Sequence, residues 1–438
     1  MIRLHPIPQV SFQCVQCRNA LDAVDWYIPG MRTLAELKCA KCGRSYYGDL
    51  PAGHGLHYPM LIDSASGDVC GEHETGWFDL WLRESYARRT RTPLPFTVES
   101  FRKVKRPLLL NCLDTMYGHS LLKLLNAQYH LDQDTQFDLI TLVPRFLRWM
   151  VPQGVAEIWS VDLPLARGIE WNDWLAAQIR TRVAKFQECW LSLAIPHPSL
   201  QDFTISRFTR VAPFPLEKWA ARLEKPTITF VWRDDRPWWD LENYSSMQEL
   251  PRRVMRRLSK TPLPEVQLKE QKEKVIALAG SIRRVFAAVD FALAGIGDPG
   301  DMPEDIVDLR TRIPTDEIEK VWVGRYAESH IVIGVHGSNM ILPSAHAGAV
   351  LEFVPSNRWG NVIQDIIPNG TDPRSHLLRY RLLPLETPSE KAAEIIISLL
   401  IHFSGAKLFF EKPWNDHLEI RKNCKAIADE RKKDRKHP

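Results

Sequence analysis

The sequence lacks the features of a membrane or secreted protein. No apolar run reaches the roughly 18–20 residues that a membrane-spanning helix requires. The longest, residues 393–403, is short and lies inside a helical pattern. The first residues contain neither the apolar core nor the small-residue cleavage site of a secretion signal. We therefore expect no membrane span and a cytoplasmic location, where cysteines stay reduced.

The sequence also has little net charge. Lys and Arg total 57 against 53 Asp and Glu, so the 438 residues carry a formal charge of +4. Such a balanced chain is not expected to bind nucleic acid on charge alone. Basic residues concentrate in the stretch 421–438. We interpret this stretch as a solvated tail, with an anionic partner surface as the alternative.

The sequence lacks one common phosphate-binding motif. It contains no GxxxxGK(S/T) segment, which excludes a P-loop. The glycines of GIGDPG at 295–300 have the GxGxxG spacing, but a dinucleotide-binding fingerprint opens a helix, and no predicted helix begins there.

Four of the eight cysteines form two CxxC pairs, Cys14 with Cys17 and Cys39 with Cys42. Four thiolates can surround one Zn²⁺ ion tetrahedrally, and each CxxC turn presents two of them. We predict a structural zinc ribbon in which no coordination position is left for catalysis. A redox-active dithiol pair is the alternative. A second metal site is a weaker candidate. It would comprise His54, His57, Cys70 and His73, whose spacing matches no known metal-binding pattern.

The order of apolar and helical segments predicts an α/β fold after residue 106. From Pro107 onward, short apolar strands alternate with helical segments in two consecutive series. This alternation is typical of mostly parallel sheets covered by helices, and we predict two Rossmann-like lobes. The predicted divisions are a zinc ribbon at 1–50, a connecting segment at 51–106, a first lobe at 107–222, a second lobe at 223–405, and a C-terminal helix with the basic tail at 406–438.

Ligands of open α/β sheets bind beyond the carboxyl ends of the strands, which identifies candidate residues directly. In the first lobe, Asp114, Asp162 and His197 follow predicted strands, and His119 opens a predicted helix. Asp114 or His119 is a candidate general base. The alternative for His119 is a helix-start residue that packs against Tyr117.

In the second lobe, the sequence VIGVHGSNM predicts a strand that runs into a helix through His336 and Gly337. Gly337 allows close approach of the backbone to a ligand. Ser338 or Asn339 can cap the helix, whose first N–H groups would then attract an anion such as a pyrophosphate. An ordinary strand-to-helix turn that binds nothing is the alternative.

The sequence WRDDRPWW, residues 232–239, places Arg233 and Arg236 beyond another predicted strand. Guanidinium forks suit the oxygens of a diphosphate. Trp238 or Trp239 is a candidate for stacking on a base or a sugar. A surface network of Arg and Asp side chains is the alternative.

The stretch HIVIGVHGSNMILPSAHAGAVLEFVP, residues 330–355, resembles the C-terminal lobe of glycosyltransferase family 61. Members of that family have a strand, an HGAGLTN-like turn, and a later strand of the form pGavvlElvP. The matching positions here are His336, Gly337, Glu352 and Pro355. The segment 338–340, Ser-Asn-Met, departs from the family's Ala-Gly-Leu.

The resemblance spans residues 227–370, since the family's upstream Arg-containing strand end is similar to residues 232–236. The segment YGHSLLKLLNAQ, residues 117–128, looks more loosely like the start of fucosyltransferase-like N-terminal lobes. The zinc ribbon belongs to neither pattern.

This resemblance implies a two-lobed glycosyltransferase of the GT-B architecture that is inverting and independent of a catalytic metal. It implies a nucleotide-sugar donor in the second lobe and a glycan or protein acceptor in the first, where Asp114 or His119 would be the base. The implied donor-binding residues are Arg233, Arg236, Trp238, His336, Gly337, Ser338, Asn339 and Glu352.

Two other functions are consistent with the sequence. One is a non-catalytic adaptor that binds nucleic acid or protein through the zinc ribbon and the basic tail. The other is a different two-lobed enzyme, such as an epimerase that acts on nucleotide sugars.

Overall fold

The computed structural model describes residues 1–70, 78–199, 203–239, 263–367 and 377–403. The chain divides into two compact units, Met1–Arg210 and Val211–Pro438. It is a mixed α/β protein, and the described residues form three β-sheets with helices between their strands. The predicted C-terminal helix and basic tail at 406–438 lie outside the described residues. Among the described helices, none is both long enough and apolar enough to cross a membrane.

The first unit contains two of the sheets. Its strands are β1 (Ile2–His5), β2 (Leu21–Tyr27), β3 (Leu34–Cys39), β4 (Ser45–Asp49), β5 (Leu61–Asp63), β6 (Val69–Cys70), β7 (Phe96–Ser100), β8 (Pro107–Asn111), β9 (Asp138–Pro144), β10 (Glu157–Val161) and β11 (Cys189–Leu191). Its described helices are α1 (Phe78–Ala87), α2 (Tyr117–Gln133), α3 (Asp173–Val183) and α4 (Ser206–Thr209).

Strands β2 to β6 form an antiparallel five-stranded sheet in chain order. This sheet, which we call the ribbon sheet, carries the CxxC pairs and extends past residue 50 to Cys70. The other sheet has the order β1-β11-β8-β9-β10-β7. Its four central strands are parallel, and the two edge strands are antiparallel to their neighbours.

The second unit has one six-stranded sheet. Its strands are β12 (Thr227–Arg233), β13 (Asp290–Ile296), β14 (Ile306–Thr311), β15 (Ile331–Val335), β16 (Ala349–Val354) and β17 (Tyr380–Pro384). Its described helices are α5 (Leu263–Arg283), α6 (Asp316–Glu328), α7 (Ile341–His346) and α8 (389–403). All six strands are parallel and run in the order β14-β13-β12-β15-β16-β17.

The local sequence explains most of these elements. The central strands β8, β15 and β16 are buried along their whole length, because parallel strands covered on both faces need continuous apolar runs. Helix α6 begins after a Thr315 cap, whose side chain accepts a hydrogen bond from the Ile318 N–H. Strands β14 and β17 lie at the sheet edges, where mixed polar sequences gave no strand signal.

Candidate functional site

The four CxxC cysteines lie together, as the spacing predicted. Their Sγ atoms are all within 4.8 Å of one another. The Sγ atoms of Cys14 and Cys42 are 3.5 Å apart, and so are those of Cys17 and Cys39. The cluster can therefore hold one metal ion.

The two turns that carry these cysteines have the same backbone geometry. Arg18 and Gly43, which directly follow the two CxxC pairs, both take positive φ angles, of 59° and 74°. Their N–H groups donate to the carbonyl oxygens of Cys14 and Cys39, each at 2.9 Å. This tight turn points both sulfur atoms of a pair to one side. The Tyr46 hydroxyl, 3.3 Å from Cys14 Sγ, lowers the pKa of that thiol to about 6 and so favours the ligating thiolate.

A second group of polar side chains is centred on the buried carboxylate of Asp114. It lies just beyond the end of β8, and its Oδ2 accepts a hydrogen bond from Lys123 Nζ at 2.7 Å and is 2.9 Å from His54 Nε2. Its Oδ1 accepts from the N–H of Met116 at 3.2 Å and lies 3.6 Å from His119 Nδ1. Three elements meet here: the end of β8, the start of α2, and a turn of the ribbon sheet.

The charge of this group is balanced within the protein. Burial raises the pKa of Asp114, but the ammonium of Lys123 and the adjacent imidazoles outweigh it and hold the pKa well below its usual value. Burial lowers the pKa of His54 to about 4, which leaves this imidazole neutral at pH 7. Asp114 is thus an anion that Lys123 already neutralises.

His119 is the accessible member of this group. Its side chain is 17% exposed, whereas those of Asp114 and Lys123 are at most 1% exposed. The imidazole of His197, which follows β11, packs edge-on against that of His119, with ring centroids 5.1 Å apart. The structure therefore brings together Asp114, His119 and His197 at one sheet edge, where Asp114 is buried, His119 is part-exposed and His197 is exposed.

The His54, Asp114 and His119 ligand atoms are close enough to hold a metal ion. The ammonium of Lys123 argues against it, since it occupies Oδ2 of Asp114 and would repel a cation. In the weaker four-residue site of the sequence, His73 lies outside the described residues. His54 instead contacts Asp114, which was not part of that predicted site.

The second unit gathers the predicted donor-binding residues at the carboxyl end of its sheet. The chain runs from β12 outward to β13 and β14 and then returns to β15 on the other side of β12. The connections that leave β12 and β15 therefore diverge and open a crevice between them. Arg233 is the last residue of β12, Arg236 follows that strand, and Gly337 follows β15.

These residues contact one another across the crevice. Arg233 Nη1 donates to Asn339 Oδ1 at 2.8 Å, and Arg236 Nη1 donates to the carbonyl oxygen of His336 at 2.8 Å. Arg233 also pairs with Asp235, so part of the alternative Arg–Asp network is present. Gly337 has a φ of 151°, and a Cβ there would collide with Arg236. Only glycine lets both guanidinium groups approach this backbone.

A buried network lies directly under this turn. His336 Nδ1 and Glu352 Oε2 are 2.6 Å apart, and the Tyr380 hydroxyl donates to Glu352 Oε1 at 2.6 Å. His336 is 2% exposed and Glu352 1% exposed, so neither side chain reaches solvent in this conformation. Their contacts support the Gly337 turn. Gly337 is itself buried, and the part-exposed residues around it are Arg233, Arg236, Ser338 and Asn339.

Two expectations for this region are wrong. Ser338 and Asn339 form a single 3₁₀ turn before the short helix α7, and neither side chain caps a helix, because Asn339 Oδ1 instead accepts from Arg233. Trp238 is fully buried and stacks on Phe353 with ring centroids 3.9 Å apart. It therefore presents no exposed face for stacking on a base or a sugar.

Sequence reasoning missed Lys123 and the pairing of His54 with Asp114. Lys123 lies inside an apolar helical segment, and a lysine at an otherwise buried helix position was the available signal. No comparable signal existed for the pairing of His54 with Asp114, since the two residues are 60 positions apart.

Comparison with known proteins gives no independent assignment. No family model matches the chain, and no curated protein matches it significantly.

Proposed function

We propose that this chain is a glycosyltransferase that moves a sugar from a nucleotide-sugar donor to a hydroxyl group of a glycan or protein. The observation that carries the proposal is the crevice beyond β12 and β15, where two arginines flank a glycine turn. In this proposal the parallel sheets of the two units correspond to the two Rossmann-like lobes of the GT-B architecture.

The crevice has the chemistry that a nucleoside diphosphate requires. Arg233 and Arg236 supply positive charge, and Gly337 lets the Arg236 guanidinium approach the turn closely. The Nδ2 atom of Asn339 is buried and has no hydrogen-bond partner among the described residues. A phosphate or ribose oxygen would satisfy this donor. The buried pair of His336 and Glu352 keeps the turn in place.

The Asp114 group would supply the base of an inverting transfer. His119 takes the proton from the acceptor hydroxyl as its oxygen bonds to the anomeric carbon of the sugar. The bond between that carbon and the diphosphate oxygen breaks, and the diphosphate leaves with the electron pair. Arg233 and Arg236 stabilise the negative charge that develops there, so no metal ion is needed. The oxygens of Asp114 already accept hydrogen bonds from its neighbours, so its role in this proposal is to orient His119.

The cysteine cluster would hold a structural Zn²⁺. Four sulfur ligands fill a tetrahedral site, and the matched turns of the two CxxC pairs suit one ion. Zinc there stabilises the ribbon sheet and takes no part in the transfer.

The first test measures nucleotide binding by isothermal titration calorimetry, with UDP, GDP and CMP, in the presence and absence of Mg²⁺. We expect one nucleoside diphosphate to bind without Mg²⁺. The variant Arg236→Ala should weaken this binding about tenfold or more, because it removes a charge-assisted contact. Arg283→Ala is the matched control. Arg283, the last residue of α5, pairs with Asp305, and its removal should leave the nucleotide affinity unchanged.

Turnover of the matching nucleotide-sugar, detected as released diphosphate, completes the test. If no nucleotide binds, or if Arg236→Ala binds as tightly as the wild type, the glycosyltransferase proposal is wrong. The adaptor function through the ribbon sheet and residues 421–438 is then the one to examine.

A further inference from the structure

The turn that carries His54 places this side chain in contact with Asp114. It forms a short 3₁₀ helix, Gly53–Leu56, between β4 and β5 of the ribbon sheet. His54 is 5% exposed, although it belongs to a connection between strands, a place where side chains are usually solvated. The neighbouring His57 in the same turn is exposed. Residues 52–55 are buried together, so His54 belongs to the part of the turn that packs inward, whereas His57 lies outside that part.

Two contacts anchor this turn, and a glycine lets it close tightly. The N–H of Gly53 donates to the carbonyl oxygen of Leu193, just beyond β11, at 2.7 Å. A Cβ on Gly55 would lie 2.5 Å from the carbonyl oxygen of Leu50, so the turn closes this tightly only with glycine there. At its base, Asp49 pairs with the buried guanidinium of Arg32 at 2.9 Å. The turn is thus anchored on both the ribbon sheet and the parallel sheet.

His54 and Lys123 both contact the Oδ2 atom of Asp114, so that the Oδ1 atom points towards His119. Lys123 Nζ also donates to the carbonyl oxygen of Leu113 at 3.0 Å, which fixes the ammonium. With Oδ2 occupied by these two donors, Oδ1 faces His119 Nδ1 at 3.6 Å. The carboxylate that faces the His119 imidazole is thus itself in contact with a residue of the ribbon sheet.

On the basis of the proposed function, we infer that His54 is a positioning residue of the transferase site and that the ribbon sheet is part of that site. Together with Lys123, the His54 imidazole fixes the Asp114 carboxylate so that it orients His119. The ribbon sheet thereby has a role in the first unit beyond binding a metal ion.

The test compares His54→Gln with His54→Leu in the full-length protein. Gln and Leu have similar volumes, but only the Gln amide can donate to Asp114 from near the position of Nε2. We expect His54→Leu to lower kcat about 100-fold, as a misplaced catalytic group does, with KM and nucleotide affinity unchanged. His54→Gln should restore most of kcat. His57→Gln is the control for the same turn and should behave as the wild type.

A second readout does not depend on turnover. In protein labelled with ¹⁵N-histidine, the Nδ1 and Nε2 chemical shifts of His119 report which nitrogen carries the proton. We expect His119 to be protonated at Nδ1, facing Asp114, in the wild type and in His54→Gln, and to be a mixture in His54→Leu. If His54→Leu does not fold, His54→Asn replaces it, because the shorter amide does not reach Asp114.

The outcomes separate the two proposals. A wild-type kcat together with unchanged His119 shifts in His54→Leu overturns the positioning role of His54, while the transferase function stands. If the wild type neither binds a nucleotide nor turns over, the transferase proposal fails. The His119 shifts then still decide whether His54 fixes this imidazole. A lower unfolding temperature with kcat and KM changed together in both variants shows a purely structural role, which also overturns the inference.

Discussion

At the residue scale, buried histidines link the stability of this protein to pH. His54, His330 and His346 are each at most 5% exposed, and burial lowers the pKa of each to about 4. The unfolded chain binds a proton at each of these positions near pH 6.5, but the folded chain does not bind it until about pH 4. Stability therefore rises with pH through this window and falls as the solution is acidified from pH 6.5 towards 4.

His346 offers the clearest single-residue test of this linkage. Its side chain is fully buried in α7, and Nδ1 lies 2.8 Å from the carbonyl oxygen of Leu342. Each buried histidine should contribute a slope of about 1.2 kcal/mol per pH unit to the free energy of unfolding between pH 5 and 6. We expect His346→Gln to reduce the total slope by about this amount, measured by urea unfolding at pH 5, 6 and 7. An unchanged slope would show that His346 is already protonated in the folded state.

At the element scale, the two turns that carry the CxxC pairs are equivalent. Their equivalence is a property of the backbone, since Arg18 and Gly43 have the same left-handed conformation and the same hydrogen bond. One of the two positions is not glycine, so the conformation is imposed by the turn. Cys42 lies three residues before β4, so an ion held by the four cysteines would lie close to the start of that strand.

We predict that the four cysteines of the CxxC pairs bind one zinc ion. Cys42→Ser removes one of four sulfur ligands and should abolish stoichiometric zinc, measured by mass spectrometry of the metal in purified protein. Cys70→Ser is the matched control, because Cys70 lies in β6 and is not a member of the cluster. Chelation should lower the unfolding temperature of the wild type but not of Cys42→Ser. Full zinc occupancy in Cys42→Ser would contradict a four-sulfur site.

At the scale of the whole molecule, each unit has its own hydrophobic core. Among the described residues, one core cluster contains only residues of the second unit, including Trp219, Phe230 and Phe353. Two others contain only residues of the first unit, including Trp159 and Trp171. Because the buried apolar groups of a unit contact one another, each unit has what it needs to fold alone.

This independence can be tested by expressing residues 1–210 and 211–438 separately. We expect both to unfold cooperatively in urea, the first with bound zinc. The second should bind the nucleoside diphosphate with the affinity of the full chain, since Arg233, Arg236 and Gly337 all belong to it. Aggregation of either fragment, or loss of nucleotide affinity in 211–438, would mean that a unit depends on the rest of the chain.

The sequence by itself determined the elements and groupings that depend on near neighbours in the chain. The CxxC spacing identified the cysteine cluster, because each pair is formed within one turn. Continuous apolar runs identified the central strands, and the residues that follow them identified Asp114, Arg233 and Gly337 as strand-end positions. The edge strands β14 and β17 were missed because half-exposed strands do not need such runs.

Only the tertiary structure decided which of these positions meet. The partners His54 and Asp114 are 60 residues apart, and Arg233 and Asn339 are 106 apart. The contact of Arg233 with Asn339 follows from the strand order, which places β12 beside β15. The contact of His54 with Asp114 follows from the packing of the Gly53–Leu56 turn against the chain beyond β11. Tertiary packing also buried Trp238 and Glu352, which the sequence pattern had placed at the ligand. Local patterns specify which side chains end a strand, but burial and long-range hydrogen bonds depend on neighbours that the chain brings together only when it folds.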